Sequence, residues 1–232
     1  TNTSGAESDA GPAFKPTATG VEVQGTFSSI NASGGTYIYI AIRRGPLAAP
    51  TAGTEVFAID ASPNSSFPVY EAGFPVDLGI RRYNYPSSGN SYFVGDRLRG
   101  ANRLITNLTN AEASTTDVAF DSQDGWWTQP ENSTSISWMW KRAPGYFDVV
   151  LTTQGDTNIP HALGVVPEMI WSKKRDGTDD WWVTMPTISG NQYGYLNQSS
   201  AFFGGTAYGT FSSTVFTTPI IGAYNAVNYL FA

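Results

Sequence analysis

Two separated stretches of this chain repeat one order of residue types: glycine, proline, an acid, an apolar strand, then bases. The first is Gly73-Phe74-Pro75-Val76-Asp77-Leu78-Gly79-Ile80-Arg81-Arg82 and the second Gly164-Val165-Val166-Pro167-Glu168-Met169-Ile170-Trp171-Ser172-Lys173-Lys174-Arg175. A second correspondence links Gly35-Thr36-Tyr37-Ile38-Tyr39-Ile40-Ala41-Ile42-Arg43-Arg44-Gly45-Pro46, Thr134-Ser135-Ile136-Ser137-Trp138-Met139-Trp140-Lys141-Arg142-Ala143-Pro144 and the chain end, Asn225-Ala226-Val227-Asn228-Tyr229-Leu230-Phe231-Ala232. All three read as strands of alternating character. The first two close with a basic pair, a small residue and proline, which cannot donate to a ladder and so stops a strand. Before each strand comes a Phe or Trp flanked by Ser, Thr and Gly: Gly25–Ser29, Phe120–Trp127 and Gly209–Phe216. These approach segments read as the first arm of a terminal hairpin.

Self-similarity of this kind marks an architecture built from repeated units. Joined together, the correspondences predict one whole unit over 55–144, a second over 145–232, and an N-terminal arm and linker, 1–54, that carries the last hairpin of a preceding unit. A lone hairpin is marginal in water, so residues 21–46 are expected to pair with the following unit, a neighbouring subunit or a missing upstream stretch. On this reading the chain is an excerpt of a longer polypeptide. Residues 1–20, with Pro12 and Pro16, and Leu47–Gly53 have connector composition. The stretch Gly100–Glu112 reads either as a short helix or as a strand followed by a turn.

Composition selects the strand. Charged residues make up only 14% of the chain, while Gly 24, Pro 14, Trp 7, Tyr 12 and Phe 13 suit short strands on a pleated surface joined by tight turns. The predicted class is all-β: tandem antiparallel β-sandwich-like units with little helix. A formal net charge of −6 argues against phosphate-backbone binding, which needs clustered Lys and Arg. With no cysteine, disulfides, thiolate metal sites and cysteine nucleophiles are excluded. No apolar run approaches the ~18 residues of a membrane helix, and the first residues lack an apolar signal-peptide region.

The run Tyr92-Phe93-Val94-Gly95-Asp96-Arg97-Leu98-Arg99-Gly100-Ala101-Asn102-Arg103-Leu104, then Thr109-Asn110-Ala111-Glu112, Phe120-Asp121-Ser122 with Asp124-Gly125, and Ile136-Ser137-Trp138-Met139-Trp140-Lys141 resembles a repeat of virion and tail-fibre-like proteins of marine bacteriophages, cyanophages above all. The next unit carries a companion pattern in His161–Trp171, Lys174-Arg175-Asp176 and Asp180-Trp181-Trp182-Val183. The resemblance covers 55–232 and, weakly, 21–46. It departs from the pattern where the usual apolar-Trp-Ile-Lys strand reads Leu78-Gly79-Ile80-Arg81 and where Trp126 replaces the usual Phe. The resemblance implies a place in the virion and oligomeric assembly, and it assigns no catalytic residue and no cofactor.

Candidate sites are few. His161 is the only histidine, so any Ser-His-acid triad or histidine metal cage has to use it. Without a Gly-x-Ser-x-Gly elbow, and placed before Leu163-Gly164, it reads as a structural hydrogen-bonding residue. Asp176-Gly177-Thr178-Asp179-Asp180 gathers carboxylates that suit calcium, yet Asp-Gly is also a strong hairpin-turn signal, and the turn is preferred. Asp77 and Glu168 occupy matching places, which suggests a shared structural job with a turn or a basic partner such as Arg82 or Lys173. Arg43-Arg44, Lys141-Arg142 and Lys173-Lys174 suit an anionic glycan, but read first as solvated strand ends that pair with acids. The Asn-x-Ser/Thr triplets at Asn2, Asn31, Asn64, Asn107, Asn132 and Asn197 arise by chance in so polar a chain. The best recognition or interface candidates are the pairs Trp126-Trp127 and Trp181-Trp182. Neighbours on a strand face opposite ways, so one indole of each pair is expected in the core and the other on the outer face.

The expected function is that of a non-enzymatic structural protein of the phage particle, part of a tail fibre or other appendage, with adhesion to the host surface. Its expected partners are other copies of itself, other virion proteins and a host glycan or protein, without nucleic acid, membrane insertion, metal or cofactor. A glycan-binding module is the alternative. A polysaccharide depolymerase would need two carboxylates facing each other across a cleft, and the sequence singles out no such pair.

Overall fold

The computed structural model describes residues 14–16, 21–23, 32–36, 48–61, 63–83, 91–128, 135–186, 192–204, 209–217 and 224–232. Their regular structure is all strand apart from one 3-10 turn, Gly53–Glu55. In chain order the strands begin with β1 (Phe14–Pro16) and β2 (Val21–Val23). There follow β3 (Phe57–Asp60), β4 (Tyr70–Glu71), β5 (Leu78–Tyr83), β6 (Tyr92–Asp96), β7 (Asn102–Ile105), β8 (Ala113–Ser114), β9 (Val118–Ala119), β10 (Gly125–Thr128) and β11 (Ser135–Trp140). The last are β12 (Phe147–Thr152), β13 (Ile159–Pro160), β14 (Met169–Lys174), β15 (Trp182–Met185), β16 (Gln192–Tyr195), β17 (Val215–Phe216) and β18 (Ala226–Phe231). Every pairing among them is antiparallel.

Two large sheets dominate, one six-stranded in the order β3-β11-β5-β6-β7-β8 and one five-stranded in the order β12-β18-β14-β15-β16. Their shared strands run in the same sequence across the sheet, and the registers correspond. Trp140 stands opposite both Phe57 and Leu78, as Phe231 stands opposite both Phe147 and Met169. In each sheet the strand latest in sequence is inserted between two earlier ones. The backbone repeats the match outside the ladders: Asp77 N–H donates to Trp140 O and Glu168 N–H to Phe231 O, both at 2.8 Å.

The sheets pack face to face. One cluster joins Leu78, Ile80, Val94 and Leu104 of the first to Phe147, Val149, Val227 and Tyr229 of the second, with Trp181 from the residue before β15. β11 shows how the sequence makes this layer. Ser135, Ser137 and Met139 point to one side and are buried, while Ile136, Trp138 and Trp140 point to the other and are half-buried, the two tryptophans against the facing sheet. The overlap is incomplete: Val149 is 0% exposed, whereas Ile59, at the corresponding place on edge strand β3, is 54% exposed.

Each large sheet carries a small sheet on its far side. The order β4-β10-β9 covers the first sheet and the pair β13-β17 the second, with Trp126, Phe120 and Met139 in one outer core and Phe216, Leu163 and Ile170 in the other. This overturns the expected terminal hairpins. β10 pairs with β4 and β9, and β17 with β13, so the approach segments belong to the outer layers rather than lying beside β11 and β18. The physical reason is burial. Both large sheets carry apolar residues on both faces; Met139 of the first and Val150, Ile170 and Leu230 of the second face outward, and the aromatic residues of the approach segments cover them.

At the N-terminus, β1 lies in the stretch expected to be connector and pairs with β2, the start of the segment expected to find a partner; Val21-Glu22-Val23 has the β-branched, alternating make-up of a strand. Gly25–Ser29 and Tyr37–Pro46, most of the expected N-terminal hairpin, lie outside the described residues. Gly100–Glu112 resolves as strand and turn rather than helix, through β7. No helix among the described residues is long and apolar enough to cross a membrane.

Candidate recognition surface

Trp126 is buried in the outer core of the first sheet, 0% exposed, and its seat explains both departures noted in the sequence. Gly79 stands opposite Gly95 across β5 and β6. A Cβ built on Gly79 would come within 2.4 Å of Trp126 Cε2, and one on Gly95 within 2.8 Å of Val118 Cγ1 and 3.3 Å of Trp126 Cζ3. The indole therefore lies in a groove that two missing side chains make. Its Nε1–H donates to Ser137 Oγ at 2.9 Å, and its ring stacks on Phe120 at 5.4 Å and 22°. Trp127 is half-buried at the margin of the same core.

Trp181 is also fully buried, but between the large sheets. It stacks on Tyr229 at 6.3 Å and 13° and donates through Nε1 to Ile105 O at 2.8 Å. Beside it runs a polar network that ties the sheets together. Tyr229 OH donates to Asp96 Oδ2 at 2.7 Å and accepts from Arg99 at 2.9 Å. Arg99 is ion-paired with Asp96 and, at 3.1 Å, with Glu112. Glu112 in turn takes Arg175 through both oxygens at 2.9 Å. Burial pushes the Tyr229 phenol well above its usual range, and Asp96 adds to the shift. Burial alone would lower the Arg99 pKa and raise that of Glu112; their mutual attraction, with Asp96 and Tyr229 on one side and Arg175 on the other, reverses both.

Trp182 points the other way from Trp181 and is half-buried. Its ring stacks on Tyr193 at 5.6 Å and 22° and meets Tyr195 edge-on at 4.9 Å. Tyr193 stacks on Phe203 at 5.4 Å, which also bonds its backbone in both directions. With Phe203 45% and Phe202 43% exposed, an aromatic rim follows edge strand β16. Two buried polar atoms adjoin it, Trp182 Nε1 and Thr184 Oγ1, and neither has a hydrogen-bond partner among the described residues. Leaving such a group unsatisfied costs about 1–3 kcal/mol. Across the sheet Ser172 stands opposite Trp182 and Asn228 opposite Ser172; both are buried, and Ser172 Oγ donates to Asn228 Oδ1 at 2.7 Å. At Trp182's register position the first sheet has Phe93, with the guanidinium of Arg81 at 4.7 Å and that of Arg103 at 5.1 Å from its ring.

The other candidates settle into structural work. His161 donates through Nε2 to Ser212 O at 3.1 Å and accepts at Nδ1 from Leu163 N–H at 3.2 Å. That acceptance leaves Nε2 as the protonated nitrogen and donor. The loop carboxylates are spent separately: Asp176 accepts from Asn225, and Asp180 from Asn197 and Gln198. No group of three potential metal ligands occurs among the described residues.

Asp77 bonds Arg142 N–H at 2.7 Å and pairs with Arg97 at 3.3 Å, not with Arg82, and Glu168 is exposed. Asp77, buried, therefore does the expected structural work with a different arginine, and Glu168, at the surface, does not share it. Of the basic pairs, Arg142 finds an acid as expected, while Lys173 departs from a solvated reading. Arg142 pairs with buried Asp148 at 2.6 Å. Lys173 is 0% exposed, its ammonium donating to Thr109 O at 3.2 Å and Lys174 O at 2.9 Å. Burial lowers the Lys173 pKa to about 8, against the pull of Asp179. Arg43-Arg44 lies outside the described residues.

Thus the two tryptophan pairs share no contact. Trp126 and Trp181 belong to different cores, and only Trp182 sits with further aromatic residues at a surface. Thr184, Tyr193, Tyr195, Phe202 and Phe203 were not singled out by sequence. The alternation Tyr193-Gly194-Tyr195 was the available signal, but which rings it meets depends on the register of β15 against β16. No protein-family model, curated protein or solved structure matches the chain.

Proposed function

We propose that this chain is a structural and adhesive part of a bacteriophage particle, a component of a tail fibre or other appendage, made of two tandem β units that arose by duplication, 55–144 and 145–232. The observation that carries the duplication is the common strand order of the two large sheets with matching registers around β11 and β18. The order of motifs from Tyr92 to Lys141 supports the virion assignment. Rigidity suits the role: two sheets clasped by a shared core and a buried charge network resist deformation without disulfides.

Its partners on this reading are further copies of itself, other virion proteins and a molecule of the host surface. The second reading, a glycan-binding module, is favoured by the aromatic rim at Trp182. Catalysis is not part of the proposal, since the buried carboxylates Asp77, Asp96 and Asp148 are all engaged with cations or backbone N–H groups. An antibody against this chain, imaged on intact particles by electron microscopy, is expected to decorate an appendage. Bare particles, with the chain found only in cellular material, would overturn the assignment.

A further inference from the structure

We propose that the outer face of the second sheet at Trp182 and Thr184 binds the ring of a neutral sugar. Three observations converge there. First, Trp182 Nε1 and Thr184 Oγ1 are two residues apart on one face of β15, buried and unpartnered among the described residues. An indole N–H needs an acceptor, and a threonine hydroxyl can take or give a proton; a sugar hydroxyl, which does both, satisfies the pair. Second, the bordering rings of Trp182, Tyr193 and Tyr195 offer apolar surface for the C–H face of a sugar. Trp182 and Tyr193 already stack on each other at 22°, so no open slot is left for a flat aromatic ligand to intercalate. Third, Ser172, Asn228, Thr184, Trp182, Tyr193 and Tyr195 are all uncharged, and an ionic ligand would meet no counter-charge among them.

At Thr184's register position the first sheet has Gly95, covered by Val118, Phe120 and Trp126. The outer layer of the second sheet has two strands where that of the first has three, and its Phe216 and Leu163 cover Ile170 and Leu230 instead. In the free protein the two polar atoms are sealed from water, so a hydroxyl reaches them as the half-buried rings of edge strand β16 part. The inference deepens the adhesive part of the proposed function but does not depend on a place in a virion.

The test titrates the whole chain with glucose, galactose, mannose, N-acetylglucosamine and the anionic N-acetylneuraminic acid, followed by tryptophan fluorescence and saturation-transfer NMR. Saturable binding of at least one neutral sugar and none of the anionic one is expected. Trp182→Ala and Thr184→Val should each weaken it about tenfold or more, the equivalent of roughly 1.4 kcal/mol, while Ile59→Thr leaves it unchanged. Melting curves keep the reading clear should Trp182→Ala fail to fold. If Thr184→Val binds sugar as the wild type does, or if the wild type binds none of the neutral sugars, the inference is overturned. Particles that carry the chain but a chain that binds no sugar would defeat this inference alone; sugar binding by a chain missing from particles would defeat only the virion assignment.

Discussion

Three positions trade volume between the sheets. Trp126, Gly79 and Ser137 in the first correspond by register to Phe216, Ile170 and Asn228 in the second, so the larger ring goes with the missing side chain and the smaller ring with isoleucine. Gly79→Ala is therefore expected to destabilise by about 1–3 kcal/mol through overpacking against the indole, measured by urea unfolding. In the Trp126→Phe background the cost should shrink, and a double-mutant cycle reads the coupling. The alternation that buries Trp126 and turns out Trp127 was legible in the sequence. Its partner Gly79 was not, because that contact is set by layer packing rather than by neighbours along the chain.

Buried Lys173 couples stability to pH. Its ammonium, with pKa about 8 in the folded protein, is charged in both folded and unfolded chains below pH 8, and there the burial penalty is constant. Between about 8 and the ordinary lysine value near 10.4 the unfolded chain holds more protons, so this group makes stability rise with pH, by at most about 1.4 kcal/mol per pH unit. Asp176, Asp179 and Asp180, which pull the value up, and Lys174, which pushes it down, act on the same ammonium and are already part of that pKa. Lys173→Met should raise stability at pH 7 and flatten the rise. The difference between the two unfolding profiles isolates the lysine from tyrosines that titrate nearby.

At the scale of elements, the turn after β6 and the loop before β8 act as a clasp on β18 and the end of β14, through Asp96, Arg99, Glu112, Tyr229 and Arg175. Arg99→Met leaves Asp96 buried without its cation and should cost about 3–5 kcal/mol. Tyr229→Phe removes a hydroxyl bonded on both sides, for about 1–3 kcal/mol. Arg175→Ala, at the wetter end, should cost about 1 kcal/mol or less. Equilibrium denaturation ranks the three. The all-β class and the strands β5, β11, β14 and β18 could be read from alternation and turn residues, and Asp96, Arg99 and Glu112 fell within the runs that carry the family resemblance. Their purpose was hidden because their partners lie more than a hundred residues away in some cases, as in Tyr229 with Asp96. The approach segments were misread for a related reason: adjacency in sequence suggested a hairpin, whereas the need to cover a second apolar face carried them into another layer.

For the whole molecule, the shared core and the clasp join the two large sheets into one cooperative body. Calorimetry should show a single transition with equal calorimetric and van't Hoff enthalpies, and Tyr229→Phe should shift it entire. Two separable transitions would mean that the sheets fold independently. The recurring order of residue types was readable at this scale; the face-to-face meeting of the two sheets was not, because a recurring order does not say which surfaces meet.

The registers of the outermost and central strands also decide how the body answers tension. Phe57 faces Trp140, and Phe147 faces Phe231, so the chain comes into each sheet and leaves it at one corner. A pull along the chain at such a corner loads the ladder one hydrogen bond at a time, like a zip, instead of shearing all its bonds together. Loaded at these corners, each sheet would peel at lower force than one loaded in shear, while the shared core and the clasp hold the two sheets against each other.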